Sequence, residues 1–248
     1  MTAAIELESV VKCYGRTVAV KGLSLSIPAG ELFAFVGPNG AGKTTTIKLI
    51  AGLLRPDQGC VSVCGCAMGS NGLAAKKAIA YVPDQPFLYD KLTGREFLHF
   101  VARMYDVSPD RRDELLDRLS DRLQLNGFLD QMTESYSHGM KQKVVISSAL
   151  LHEPQVLVID EPMVGLDPKT VREVKDLFRE HTHRGGTVFM STHTLEVAEA
   201  VADRIGIIHR GQLIAVGTMP ELRALADHYH SLEQIFLRLT ETEDEPHL

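Results

Sequence analysis

Gly37-Pro38-Asn39-Gly40-Ala41-Gly42-Lys43-Thr44 constrains this chain more than any other stretch, because it fits the pattern G-x-x-x-x-G-K-[ST]. The segment before it, Glu31–Val36, is rich in apolar and β-forming residues and reads as a strand. After Gly42 the period changes: Ile47, Ile50, Ala51 and Leu54 recur at helical spacing. A glycine-rich loop between a strand and a helix can turn its N–H groups inward toward phosphate oxygens, and the helix start adds the positive end of its dipole. Lys43 then supplies a point charge for the β- and γ-phosphates and Thr44 a hydroxyl for Mg²⁺. The expected ligand is the tail of a nucleoside triphosphate.

Val156-Leu157-Val158-Ile159-Asp160-Glu161 is the second element. A continuous apolar run of this length suits a parallel strand buried on both faces. Two carboxylates emerge at its C-terminal end, the edge at which ligands bind in open α/β sheets. Asp160 suits a Mg²⁺ role, and Glu161 suits a general base for an attacking water.

Around these elements the N-terminal third reads as short strands, Ile5–Val11, Thr17–Val20, Leu23–Ile27 and Cys60–Val63. Turns are expected at Tyr14-Gly15, Lys21-Gly22, Pro28-Ala29-Gly30 and 56–59. From Thr93 to Leu150 the pattern is helical. Phe97, Phe100, Val101 and Met104 form one apolar stripe, and Leu115, Leu116, Leu119 and Leu123 a second, whose helix starts at Ser108-Pro109. The α/β alternation resumes with a helix over Lys169–His183, a strand over Thr187–Met190 and a helix over Leu195–Ala202. A hairpin over Arg204–His209 and Gln212–Val216 follows. Leu232, Ile235, Phe236 and Leu239 mark a last helix, with acidic residues after it.

Composition removes several classes. The 248 residues are 44% hydrophobic and 23% charged, enough for a sizeable core, and the net charge of -6 argues against a general nucleic-acid binder. The longest apolar run, Val144 to Leu151, is too short to span a bilayer, and Glu6, Glu8, Lys12 and Arg16 interrupt any signal-peptide core. Cys13, Cys60, Cys64 and Cys66 lack zinc-site spacing and read as ordinary reduced thiols.

Together these residues resemble the ATP-binding subunit of an ABC transporter, in its export-type branch, over nearly the whole chain. Tyr14 stands where the family places an aromatic that stacks on adenine. Tyr136-Ser137-His138-Gly139-Met140 resembles the family signature, usually Leu-Ser-Gly-Gly-Gln. Gly165-Leu166-Asp167 resembles the D-loop, and Ser191-Thr192-His193 ends a strand where the family carries its switch histidine. Ala80-Tyr81-Val82-Pro83 leads into Asp84 and then Gln85 where the family has one glutamine; either offers an oxygen to Mg²⁺, and Gln85 is taken as that ligand.

The resemblance implies an α/β P-loop NTPase core with an N-terminal antiparallel β subdomain and an inserted helical subdomain. Residues 1–85 and 151–220 would form the ATP-binding core, 86–150 the helical part and 221–248 a short helical tail. ATP and Mg²⁺ are the implied cofactors. Residues 37–44 with Thr45, and Tyr14, would hold the nucleotide, and Thr44, Gln85 and Asp160 the metal. Glu161 and His193 would carry catalysis, and Ser137 and Gly139 would reach the ATP of a second subunit. The implied partners are a homologous nucleotide-binding subunit and a transmembrane permease, with the chain lying on the cytoplasmic face. A soluble ABC ATPase with a regulatory role is the alternative. Such relatives carry paired domains or a long coiled coil, whereas this insertion is short. A binder that does not hydrolyse should lack Lys43, Glu161 or His193, and all three are present.

Overall fold

The computed structural model describes residues 3–69, 72–225 and 231–244. Two sheets organise them. The first is antiparallel, with β1 (Ala3–Tyr14), β2 (Thr17–Pro28), β4 (Gln58–Val63) and β5 (Cys66–Ala67) in the order β2-β1-β4-β5. The second contains β3 (Leu32–Val36), β6 (Ile79–Val82), β7 (Val156–Asp160), β8 (Thr187–Thr192), β9 (Arg204–His209) and β10 (Gln212–Gly217) in the order β10-β9-β3-β8-β7-β6. Its strands run parallel from β9 to β6, and β10 turns back antiparallel at the edge.

The central strands are apolar throughout because both their faces are covered. Phe33, Phe35, Val156, Val158 and Phe189 point into a core shared with the antiparallel sheet. Leu32, Ala34, Val36, Leu157, Ile159, Val188 and Met190, on the alternate positions, point into a second core shared with the helices. The Phe189 ring lies 5.7 Å from that of Phe33 and 5.5 Å from that of Phe35, locking β3 to β8 at the centre of the sheet.

Helix α1 (Lys43–Ile50) follows β3, and the short α2 (Leu73–Lys77) precedes β6. Three longer helices come next: α3 (Gly94–Met104), α4 (Pro109–Leu123) and α5 (His138–Leu151). Thr93 and Glu96 form a reciprocal capping box at the start of α3, and Ser108 caps α4 ahead of its proline. Helix α6 (Pro168–His183) joins β7 to β8, α7 (Leu195–Val201) joins β8 to β9, and α8 (Met219–Leu225) and α9 (Leu232–Asp244) complete the described chain.

Several expectations change. The turn expected at Lys21-Gly22 is a bulge inside one continuous strand. Three steps of β2, from Val20 to Leu23, oppose two steps of β1, from Val10 to Lys12, and Gly22 at φ +68 absorbs the kink. The apolar stripe of α3 is rotated from the one expected: Phe97, Leu98 and Ala102 are buried, whereas Phe100 and Met104 face outward. The second stripe, Leu115, Leu116, Leu119 and Leu123, is wholly buried. Strand β6 and helix α2 were not expected, and α8 opens the expected helical tail two residues early; each is seven residues or shorter and forms against tertiary neighbours. Leu232 and Ile235 are buried, and α9 runs on through Asp244 into the acidic residues that follow Leu239. Residues 226–230 and 245–248, part of the expected tail, lie outside the described residues.

Candidate functional site

Strand register brings the chemistry together. Val36 of β3 pairs with Thr192 of β8, and Asp160 of β7 pairs with Ser191 of β8. The segments that leave these three strand ends, beginning at Gly37, Glu161 and His193, therefore start side by side. They enclose a cleft of about 380 Å³ lined by Pro38, Gly40, Lys43, Thr44, Asp84, Asp160, Glu161 and His193 among others.

Gly42 caps α1 at φ +109, and a Cβ there would come 2.5 Å from the carbonyl oxygen of Ala19, so no other residue fits this corner. Intrahelical pairing begins with Thr46 N–H donating to Gly42 O at 2.9 Å, so the N–H groups of the preceding turn belong to the unpaired helix start. Lys43 is buried; its ammonium donates to Gly37 O at 2.7 Å and Pro38 O at 3.2 Å. Burial pushes its pKa down, opposed by the carboxylates of Glu161 and Asp160. Asn39 and Thr45 also line the cleft.

Asp160 is buried. One of its oxygens accepts from Ser191 Oγ, and Oδ2 is buried without a partner. Thr44 lines the same cleft, and an orphaned carboxylate oxygen together with its hydroxyl is a hard-oxygen donor set, which fits Mg²⁺. Tyr81 reports the same local acidity: burial, then Asp160 and Asp84, push its phenol up to about 12.

Glu161 stands at φ +51, an uncommon conformation for a non-glycine residue. Its side chain is held by neighbours from the end of β8. Thr192 Oγ1 donates to Oε2 at 3.1 Å, and His193 N–H donates to Oε1 at 2.9 Å. The His193 ring contributes Nδ1 at 2.7 Å from Oε1. The strain and the clamp together aim one carboxylate into the cleft, a pattern found where backbone strain serves a site.

Other expected site residues lie elsewhere. Asp84, and not Gln85, lines the cleft, and Ala19 takes part in its wall. Tyr14 is exposed at the end of β1 and does not line the cleft; nor do Gly37, Ala41, Ser137 and Gly139. Ser137 is the N-cap of α5, accepting from Met140 N–H at 3.3 Å, which leaves its own O–H free to donate outward. Ser191 and Thr192, named in the sequence only as the run before His193, turn out to bind the two carboxylates. Their signal is two hydroxyls closing an apolar strand, and it has meaning only once β8 is known to lie beside β7.

Asp167 caps α6 with both oxygens. Thr170 N–H donates at 3.0 Å and Thr170 Oγ1 at 2.6 Å, while Lys143 Nζ lies 3.6 Å away. The Thr170 hydroxyl, its N–H and the Lys143 charge hold the Asp167 carboxyl down to about 2. The folded value is below the unfolded one, so this stabilisation is present above about pH 4 and is lost as pH falls through the folded value. Asp167→Asn keeps a capping oxygen and cannot titrate. Its melting temperature is expected to fall less steeply than that of the unmodified chain between about pH 4 and the folded value.

A phosphate-type loop after a central strand, with two carboxylates at the end of a strand that one other strand separates from it, defines a P-loop nucleoside triphosphatase. Comparison with known proteins narrows this class. The ABC transporter family model matches residues 20–164. The linearmycin resistance ATP-binding protein of Bacillus subtilis is 38% identical over 221 residues, spanning 88% of this chain and 70% of that protein. A solved ATP-binding subunit of an ABC transporter superposes with a TM-score of 0.92 at 33% identity, covering 96% of this chain and all of that one. A dimeric ATP-binding cassette in a post-hydrolysis state with ADP and Pi superposes with a TM-score of 0.79 at 26% identity, covering 87% of this chain and 98% of that one. The chain belongs to the ABC transporter family, as an ATP-hydrolysing, ATP-binding subunit.

Proposed function

We propose that two such chains, arranged head to tail, bind and hydrolyse MgATP in the cleft and drive export through a separate membrane permease. The observation that carries this reading is the split of the machinery. Lys43, Thr44, Asp160, Glu161 and His193 share one cleft, while Ser137 and Gly139 present a free hydroxyl and a helix start outside it. A second copy brings those groups over the γ-phosphate, excludes water and fixes the in-line geometry.

In the proposed mechanism the loop N–H groups and Lys43 hold the phosphate tail. Thr44 and Asp160 would hold Mg²⁺, which would supply positive charge against the phosphates. Glu161 takes the proton of the attacking water, and His193, beside it, donates to the γ-phosphate. Tyr14 stacks on the base from the end of β1. The helical segment 86–150 acts as the signature subdomain against a core of 1–85 and 151–220. Closure depends on ATP because the nucleotide makes contacts in the closed pair that the open one lacks.

No helix among the described residues is long and apolar enough to cross a membrane. Phe87, Tyr89, Phe100, Met104 and Tyr105 form an exposed aromatic groove over Ala80 and Tyr81. A patch of this kind marks an interaction surface, and its floor, β6, runs directly to Asp84 at the cleft. The permease docks there, on the cytoplasmic side of the membrane. Export is favoured because the Bacillus subtilis relative is a linearmycin resistance protein.

The test is hydrolysis by the purified chain with its permease. Turnover is expected with Mg²⁺ and ATP, and chelation by EDTA is expected to abolish it. A preparation that neither retains nor splits ATP under these conditions overturns the reading.

A further inference from the structure

We propose that His138 is a positioning residue: its ring against Gly165 couples the start of α5 to the segment that carries Glu161, and so makes the two ATP sites of a pair act cooperatively. This rests on the head-to-tail reading above.

The start of α5 is joined to residues 162–167 of its own chain at four successive points. The His138 ring lies over Gly165; a Cβ on Gly165 would come 2.5 Å from ring Cδ2. Gly139 approaches so closely that a Cβ there would lie 2.6 Å from Gly165 O. Gln142, fully buried, donates from Nε2 to Pro162 O at 3.3 Å. Lys143 Nζ lies 3.6 Å from Asp167 Oδ2. Glu161 precedes this segment by one residue, with its backbone in the uncommon left-handed region. Strained, tightly packed segments shift between discrete positions rather than deform smoothly.

The consequence is mechanical. Ser137 and Gly139 face a partner's nucleotide, and residues 162–167 lead back to the chain's own Glu161. A pull on the helix start cannot be absorbed locally, because ring, backbone and ion pair all pass it to the same loop. Occupancy of one site therefore sets the geometry of the general base in the other. His138 makes this contact from the position where the family signature usually carries glycine, which has no side chain to make it.

A size exchange tests the contact. Asn tolerates the φ of +77 at Gly165, so Gly165→Asn adds bulk under the ring without a large backbone penalty. In the full chain, Gly165→Asn is expected to lower kcat about tenfold and bring the Hill coefficient for ATP toward one. ATP affinity measured below the dimerising concentration should stay unchanged. His138→Gly is expected to lower the Hill coefficient as well. Combined with Gly165→Asn, it should recover kcat to the His138→Gly level, because the added side chain then has room. Additive losses in the double variant, or an unchanged Hill coefficient in both single variants, overturn the proposal. ATP-dependent pairing of the Glu161→Gln chain, followed by sedimentation, is the control. If pairing fails, the head-to-tail reading fails; if pairing occurs while cooperativity is insensitive to His138, only this inference fails.

Discussion

Glu161→Gln is expected to retain ATP binding while losing about a hundred- to ten-thousand-fold in turnover, the range typical for removal of a general base. The structure makes the substitution a clean one. The carboxylate oxygen facing His193 accepts the backbone N–H at 2.9 Å, which a carboxamide oxygen can also accept. The other oxygen receives Thr192 Oγ1 at 3.1 Å; an amide nitrogen there can donate to the same hydroxyl, which accepts as readily as it donates. Geometry is preserved and the proton acceptor is lost. ATP-bound chains should accumulate as a closed pair, detectable as a doubling of mass that disappears on removal of nucleotide. Single-turnover hydrolysis near the rate of the unmodified chain would remove Glu161 from the base role.

Lys43→Ala is expected to weaken ATP binding by about ten- to a hundredfold, the loss that follows removal of hydrogen bonds to charged groups. Without nucleotide the ammonium is folded back onto Gly37 O and Pro38 O. Burial lowers its pKa, so it is a charge held at a cost in a site that a phosphate would neutralise. Binding of phosphates restores its counter-charge and trades two loop carbonyls for charge-assisted contacts. Fluorescent-nucleotide titration reads the effect directly. Unchanged affinity would place the phosphate tail somewhere other than the bend after β3.

Legibility differed between parts of the chain for physical reasons. The strands β3 and β7 were readable because strands covered on both faces must be apolar at every position. Helix α4 was readable because one face alone is buried, leaving a clean stripe of leucines. In α3 the same reasoning placed the face only in part: Phe97 is buried and Val101 packs on the core, whereas Phe100 and Met104 continue the apolar period and are exposed beside Phe87 and Tyr89. Periodicity records where apolar side chains lie and is silent on whether this chain or another covers them. Strand β6, four residues long, exists only because β7 pairs with it, so nothing local announces it.

The candidate site divides along the same line. Residue order alone determined the phosphate-type bend from Gly37 to Thr44 and the carboxylates at Asp160 and Glu161. In each, a strand end and the chemistry it presents are contiguous in the chain, and local geometry follows from local residues. Tertiary structure alone decided that Asp84 and not Gln85 reaches the cleft, and that Ser191 and Thr192 grip the two carboxylates. It also decided that His138 rests on Gly165. Those relations join segments some 25 to 110 residues apart. They depend on strand order and register, which long-range packing selects and no short stretch of sequence encodes.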